Sequence, residues 1–269
     1  MFARVADLVD SVVPLSIYPF RTALVTGASS GIGEALAREL AADGVAVTLV
    51  ARRRDRLDHI CAQLPGSSVL EADLSTASGI DIVAAHIERR KPDLVVNNAG
   101  FGISQPLQDI GAQRLAKQIA VNVTAVTLLT QAALPAMRSA RRGWILNVSS
   151  VAGGIPVPNG GVYSATKAYV TNFTESLAME LADTGVVATA LLPGYTRTQF
   201  HEAAGMTTEV SKIPNLAWLT AERVAKESLA ACAAGELFSI PGRRYRATTA
   251  VTRYMPRRAV RWVIARQRP

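Results

Sequence analysis

The sequence predicts one continuous α/β domain: a doubly wound parallel sheet of seven strands in three layers, helices covering both faces. Three observations predict it. Short runs rich in Val and Leu, apolar on both sides, alternate with amphipathic segments along most of the chain, as right-handed βαβ units require. The chain has 269 residues, 49% of them hydrophobic and 19% charged, which suits one sizeable core and excludes a disordered chain. No internal repeat and no low-complexity linker divides it.

The strands are expected at Thr22–Thr26, Val45–Val50, Ser68–Ala72, Leu94–Asn97, Trp144–Val148, Val186–Leu192 and Leu237–Ile240. Each is short and apolar on both faces, as a strand covered by helices should be. Helices are expected between them, at Ile32–Asp43, Asp55–Gln63, Thr76–Arg90, Ala112–Ser139, Tyr163–Asp183 and Ala221–Ala234. The first shows Ala35, Leu36 and Leu40 on one face. Within the fourth, Gln118 to Met137 holds 20 residues without a charge, the length of a bilayer span. Asn122, Gln131, three threonines and Pro135 mark it instead as a helix buried in protein.

Charge and composition exclude several functions. Of the 29 basic side chains, nine arginines lie in 243–269, where there is no acidic residue. Residues 1–242 therefore carry 20 basic against 21 acidic side chains. The net charge of +8 belongs to a tail and not to a folded face, which argues against a nucleic-acid groove. Cys61 and Cys232 are far apart and form no Cys-x-x-Cys, so the cytoplasm, a reducing compartment, is expected. His59, His86 and His201 have no partner at ligand spacing, and no metal site is expected. Met1 to Phe20 lacks the basic cluster and apolar block of an export signal. Phe2, Val5, Val9, Val12 and Val13 recur there at helical spacing, so residues 1–20 read as an amphipathic extension.

Chemistry enters at the first turn. Thr26-Gly27-Ala28-Ser29-Ser30-Gly31-Ile32-Gly33 joins a strand to a helix. Glycines there let the chain turn sharply and let a pyrophosphate approach backbone N–H groups at the helix N-terminus. Residues 21–242 thus read as a dinucleotide-binding catalytic domain, followed by a basic tail, 243–269. The second strand ends in Ala51-Arg52-Arg53-Arg54. A carboxylate at that point holds the ribose 2′-hydroxyl of NAD, whereas arginine grips the 2′-phosphate of NADP. The expected cofactor is NADP.

Tyr163 and Lys167 are four residues apart, on one face of a helix. A nearby ammonium favours phenolate and is expected to lower the Tyr163 pKa from about 10. Ser150 follows the fifth strand, at the carboxyl edge where ligands bind in such sheets. Asn122 is a buried amide in an uncharged helix and must find partners, in protein or water.

With these residues in hand, the chain resembles the short-chain dehydrogenase/reductase family, from Thr26 to about Ile240, and so the Rossmann arrangement. Thr26–Gly33 resembles the family's TGxxxGxG loop. Asp73, with Leu74 beside it, matches the adenine contact, and Asn97-Asn98-Ala99-Gly100 the NNAG segment. Asn122, Ser150, Tyr163 and Lys167 match the catalytic tetrad. Pro193-Gly194-Tyr195-Thr196-Arg197-Thr198 matches the PGxxxT segment that meets the nicotinamide carboxamide. The resemblance implies hydride transfer, with Tyr163 exchanging the proton, Ser150 orienting the carbonyl, Lys167 holding the ribose, and Asn122 anchoring a water that links Lys167 to solvent. It also implies a homodimer or homotetramer. The arginines after the second strand, the Asn98–Gly102 segment and the basic tail are similar to those of bacterial ketoacyl reductases.

Phe200, Met206, Ile213, Leu216 and Trp218 make an apolar segment after Thr198, and Gly154-Ile155-Pro156-Val157-Pro158 faces it with no Arg or Lys nearby in sequence. A lipophilic carbonyl or alcohol is expected. The activity reads as carbonyl reduction, with secondary-alcohol oxidation or non-catalytic cofactor binding as alternatives. The tail has two readings: a helix on an anionic membrane surface, or one packed on the body or a neighbouring subunit.

Overall fold

The computed structural model describes residues 16–206, 210–211 and 213–266. The expected helix over Phe2–Val13 and residues 267–269 of the tail lie outside the described residues. The sheet has seven strands, all parallel, in the order β3-β2-β1-β4-β5-β6-β7. They are β1 (Thr22–Thr26), β2 (Ala46–Ala51), β3 (Ser68–Glu71), β4 (Leu94–Asn97), β5 (Gly143–Val148), β6 (Val186–Leu191) and β7 (Phe238–Ser239). The order reverses between β1 and β4, which opens a crevice at their carboxyl ends.

Two apolar layers hold the sheet. On one face, α1 (Gly31–Ala42) and α2 (Arg54–Cys61) pack with α8 (Ala221–Ala233) through Leu36, Leu40, Leu57, Val224 and Leu229. On the other, α3 (Ala77–Arg90), α5 (Val126–Ala140) and α6 (Gly161–Glu180) bury Val83, Ile87, Leu129, Met137 and Leu177. Thr76 and Thr220 cap α3 and α8 by accepting the Gly79 and Arg223 N–H groups.

Four expectations change. The long helix is not uniform: α4 (Ala112–Ile119) passes into a π-helical turn, Ala120–Ala125, before α5. Such turns re-aim side chains and occur at functional sites. The last strand shrinks to two residues. Residues 16–20 belong to the body: Asp43 accepts from Ser16, Ile17 and Tyr18, while Tyr18 and Phe20 are buried. The tail forms α9 (Arg243–Tyr254) and α10 (Arg257–Arg266), joined to the body by Tyr245, Arg257 and buried Val260. Of its two readings, packing on the body is observed, with Val251, Tyr254, Trp262 and Val263 left exposed. The uncharged helix is long and apolar enough to cross a membrane; one side of it enters the core, with Asn122 and Leu129 fully buried, while Ile119 and Leu128 stay exposed.

Candidate active site

The turn after β1 forms a cradle that side chains would fill. Gly27 and Gly31 have φ of +66° and +59°, a conformation that favours glycine. A Cβ on Gly33 would stand 2.4 Å from both Gly27 O and Asn98 Nδ2. Ser30 is the N-cap of α1 but makes no side-chain capping bond, so the first N–H groups of the helix are not spent on that side chain. Asn98 donates to Thr26 O at 2.9 Å. The Thr26 hydroxyl accepts from the N–H groups of Asn98 and Ala99, both at 3.0 Å, and ties β1 to β4. Thr26 opens the loop in sequence, but its bracing role depends on a strand 70 residues away. Ser29 is buried and Ile32 packs on the core. This cradle, with its bare backbone and helix terminus, fits a dinucleotide pyrophosphate.

Basic groups flank the cradle. Arg53 donates to the Ser29 hydroxyl at 3.0 Å and to Ser29 O at 3.3 Å. Arg52 is exposed at the end of β2. Burial works to raise the Asp73 pKa, but bonds from Ser75 and the charges of Arg52 and Lys117 hold it below its ordinary value. Leu74 is buried beside it.

Asn122, Ser150, Tyr163 and Lys167 converge at the carboxyl ends of β4 and β5. Ser150 caps a 3-10 turn, and its Oγ accepts the Ala152 N–H at 3.1 Å. Its hydroxyl acts on the Tyr163 phenol and works to lower that group's proton affinity. Lys167 Nζ donates to Val148 O at 2.7 Å and lies 5.9 Å from the Tyr163 ring centre. Gly100 faces this group: a Cβ there would lie 3.2 Å from Asn122 Oδ1 and 3.3 Å from Lys167 Nζ.

One expectation needs correction here. Burial dominates the proton affinities. It pushes the Tyr163 phenol up to about 12, against a lowering bond from Ser150, and pushes Lys167 down to about 8. The expected net lowering of Tyr163 is therefore absent, because desolvation penalises phenolate and ammonium together. Asn122 spends both amide hydrogens on protein, Phe101 O at 3.0 Å and Thr166 Oγ1 at 3.1 Å, and its Oδ1 accepts the Phe101 N–H. Through its side chain it braces the segment after β4.

The Pro193–Thr198 segment leaves β6 and crosses the crevice. Val151 N–H donates to Pro193 O at 3.2 Å, and a Cβ on Gly31 would meet the Thr198 methyl at 3.0 Å. The segment thus spans from the Ser150 turn to the phosphate cradle. Thr196 is buried and bonds Gly194 O. Beyond it the short helix α7 (Phe200–Ala203) sets Phe200 against Tyr163, ring centres 5.5 Å apart. His201, Tyr195 and Trp218 extend the aromatic wall. A cavity of about 360 Å³ next to α6 is lined by Ile103, Leu107, Val157, Val162 and Gln118. Gln118, a buried side chain that no motif signalled, donates to Phe101 O. One cation does stand near the Gly154–Pro158 loop, contrary to expectation: Arg257 of the tail donates to Gly154 O at 3.0 Å.

The model of the short chain dehydrogenase family matches residues 21–208. An uncharacterized oxidoreductase of Staphylococcus epidermidis is 40% identical over 185 residues, 68% of this chain and 80% of that one. A very-long-chain 3-oxoacyl-CoA reductase of Anas platyrhynchos is 34% identical over 190 residues, 67% of this chain and 61% of that one. A short-chain dehydrogenase from Sphingobium yanoikuyae, solved in complex with NADPH, is similar in structure with a TM-score of 0.79 and 31% identity, over 86% of this chain and 93% of that one. The chain belongs to the short-chain dehydrogenase family. It is an oxidoreductase acting on CH–OH or C=O groups.

Proposed function

We propose that the protein reduces a carbonyl on a lipophilic substrate, a 3-oxoacyl chain or similar ketone, with NADP as its coenzyme. The observation that carries this reading is the meeting of Ser150, Tyr163 and Lys167 one loop away from a glycine cradle flanked by arginines. Gly27, Ser29, Ser30, Gly31, Ile32 and Gly33 would hold the pyrophosphate, and Arg52 and Arg53 the 2′-phosphate. Asp73 and Leu74 would meet the adenine. Asn98, Ala99, Gly100, Pro193, Gly194, Thr196 and Thr198 would line the nicotinamide half, with Lys167 on its ribose. A reduced nicotinamide bound there supplies the hydride.

The chain's own residues handle the oxygen and the proton. Ser150, whose hydroxyl acts on the Tyr163 phenol in this structure, would turn its hydrogen to the carbonyl oxygen and orient it. The Tyr163 hydroxyl gives its proton to the oxygen as negative charge develops. The Lys167 ammonium stabilises the phenolate left behind. The Tyr163 phenol, pushed up to about 12 by burial, is at neutral pH the protonated donor that reduction needs. The Phe200 wall against Tyr163 supports a lipophilic substrate, and the 3-oxoacyl-CoA reductase and NADPH-bound relatives point the same way. Exposed Tyr169 and Met179 on α6, with Ile119 and Leu128 on the adjoining helix, offer a face for a second copy, consistent with a homodimer or homotetramer. The two cysteines are free thiols, which suits a cytoplasmic setting.

The experiment is NADPH consumption with 3-oxoacyl thioesters, steroid ketones and small aldehydes, comparing the wild type with Tyr163→Phe. The wild type turns over a lipophilic ketone. The variant loses at least about 100-fold in kcat and binds NADPH as before. Retained turnover would show that another group moves the proton.

A further inference from the structure

The two C-terminal helices lie beyond the residues matched by the family model, which end at 208. They nevertheless touch both loops that frame the site. Arg257 holds Gly154 O, four residues after Ser150. Tyr245 sits on the opposite side. A Cβ on Gly194 would fall 2.1–2.3 Å from three carbons of the Tyr245 ring, so the ring lies directly on the bare Gly194 backbone. Its hydroxyl accepts the Tyr195 N–H at 3.0 Å and donates to Ala217 O at 2.7 Å.

We propose that Tyr245 is a positioning residue: through the Pro193–Thr198 segment it fixes the surface on which the nicotinamide end of the coenzyme rests. The inference rests on the coenzyme placement proposed above. The segment has other holds, among them Val151 N–H on Pro193 O and Arg197 on Asn215 Oδ1, but several run to one neighbouring stretch. Tyr195 O accepts from Leu219 N–H, and Arg197 N–H donates to Leu219 O. These bonds tie it to the Ala217–Leu219 stretch, which the Tyr245 hydroxyl anchors in turn. One phenol therefore links three separate pieces of chain around the nicotinamide side. The base of α9 is itself held, since Glu227 accepts the Gly242 N–H at 3.0 Å and faces Arg246 at 3.8 Å. Anchored this way, the tyrosine does not follow the loop but restrains it. The adenine and phosphate ends would rest on β1, β2 and α1; the Tyr245 hydroxyl bonds go instead to Tyr195 and Ala217, and its segment meets the cradle only where Thr198 touches Gly31.

That asymmetry makes the test. Tyr245→Phe keeps the ring and removes both hydrogen bonds. Affinities are measured by fluorescence titration for NADPH and for 2′-phospho-ADP-ribose, which lacks the nicotinamide. NADH and ADP-ribose form a second pair that covers a preference for NAD. The variant binds the whole coenzyme about 10-fold more weakly and binds the fragment like the wild type, which also reports that it is folded. Equal loss on both ligands, or no loss on either, would overturn the proposal. A wild type that binds neither pair would instead remove the coenzyme placement, and this inference with it.

Discussion

Replacing Gly33 by alanine adds one methyl group at the tightest point of the phosphate cradle. The new Cβ would lie 2.4 Å from Gly27 O and 2.4 Å from Asn98 Nδ2, about 1 Å short of ordinary van der Waals contact. Neither neighbour moves cheaply. Gly27 O is main chain in a turn already at positive φ, and Asn98 is held by Thr26 at 2.9 Å. Overpacking of this kind costs ~1–3 kcal/mol. Replacing a helical glycine returns about 0.5–1 kcal/mol, leaving a net loss of about 0–2.5 kcal/mol and a fall in Tm of at most about 10 °C. The effect on binding is larger. If the turn shifts enough to lose one N–H bond to a charged phosphate, affinity falls about 10- to 100-fold. NADPH titration followed by fluorescence measures this, with thermal melting alongside. Gly44→Ala is the control: Gly44 has φ +80° but nothing within 4 Å of its would-be Cβ, so stability falls and binding stays. A Gly33→Ala protein that folds and binds NADPH like the wild type would refute the cradle argument.

Other outcomes follow from the same geometry. Replacing Arg52 and Arg53 by alanine removes two exposed charges from the ribose end, each worth about 1 kcal/mol at that exposure. NADPH then binds about 10-fold or more weakly while NADH is unaffected, and equal losses for both would argue against the 2′-phosphate site. The pH profile of reduction has a defined sign. Tyr163 stays protonated up to about 12 and remains a donor, whereas the Lys167 ammonium is present below about 8 and lost above it. The reductive rate therefore holds at neutral pH and declines above about 8. NADPH consumption measured from pH 6 to 10 reads this, and a rate still flat at pH 10 would contradict it.

Much of the fold was legible in the residues themselves. The β1, β4 and β5 runs are buried on both faces, and such strands announce themselves by uninterrupted Val, Leu and Ile. Gly27, Gly31 and Gly33 were readable because a backbone conformation or close approach restricts the residue type locally. The pairing of Tyr163 with Lys167 was readable because the helical repeat places residues four apart on one face. The last strand was read too long. Its two residues pair only with β6, and an edge strand's length is set by its single neighbour.

The element order, the cradle and the helix face that carries the phenol and ammonium were therefore encoded locally. All of these depend on residues close together in the chain. Tertiary structure alone decided the rest. The π turn that aims Asn122 at Phe101 carries no distinguishing residue type. Thr26 and Tyr245 act on partners 72 and 50 residues away. The rise of Tyr163 and the fall of Lys167 come from desolvation by the whole surrounding fold. Burial is a sum over neighbours from distant segments, and no local spacing encodes that sum.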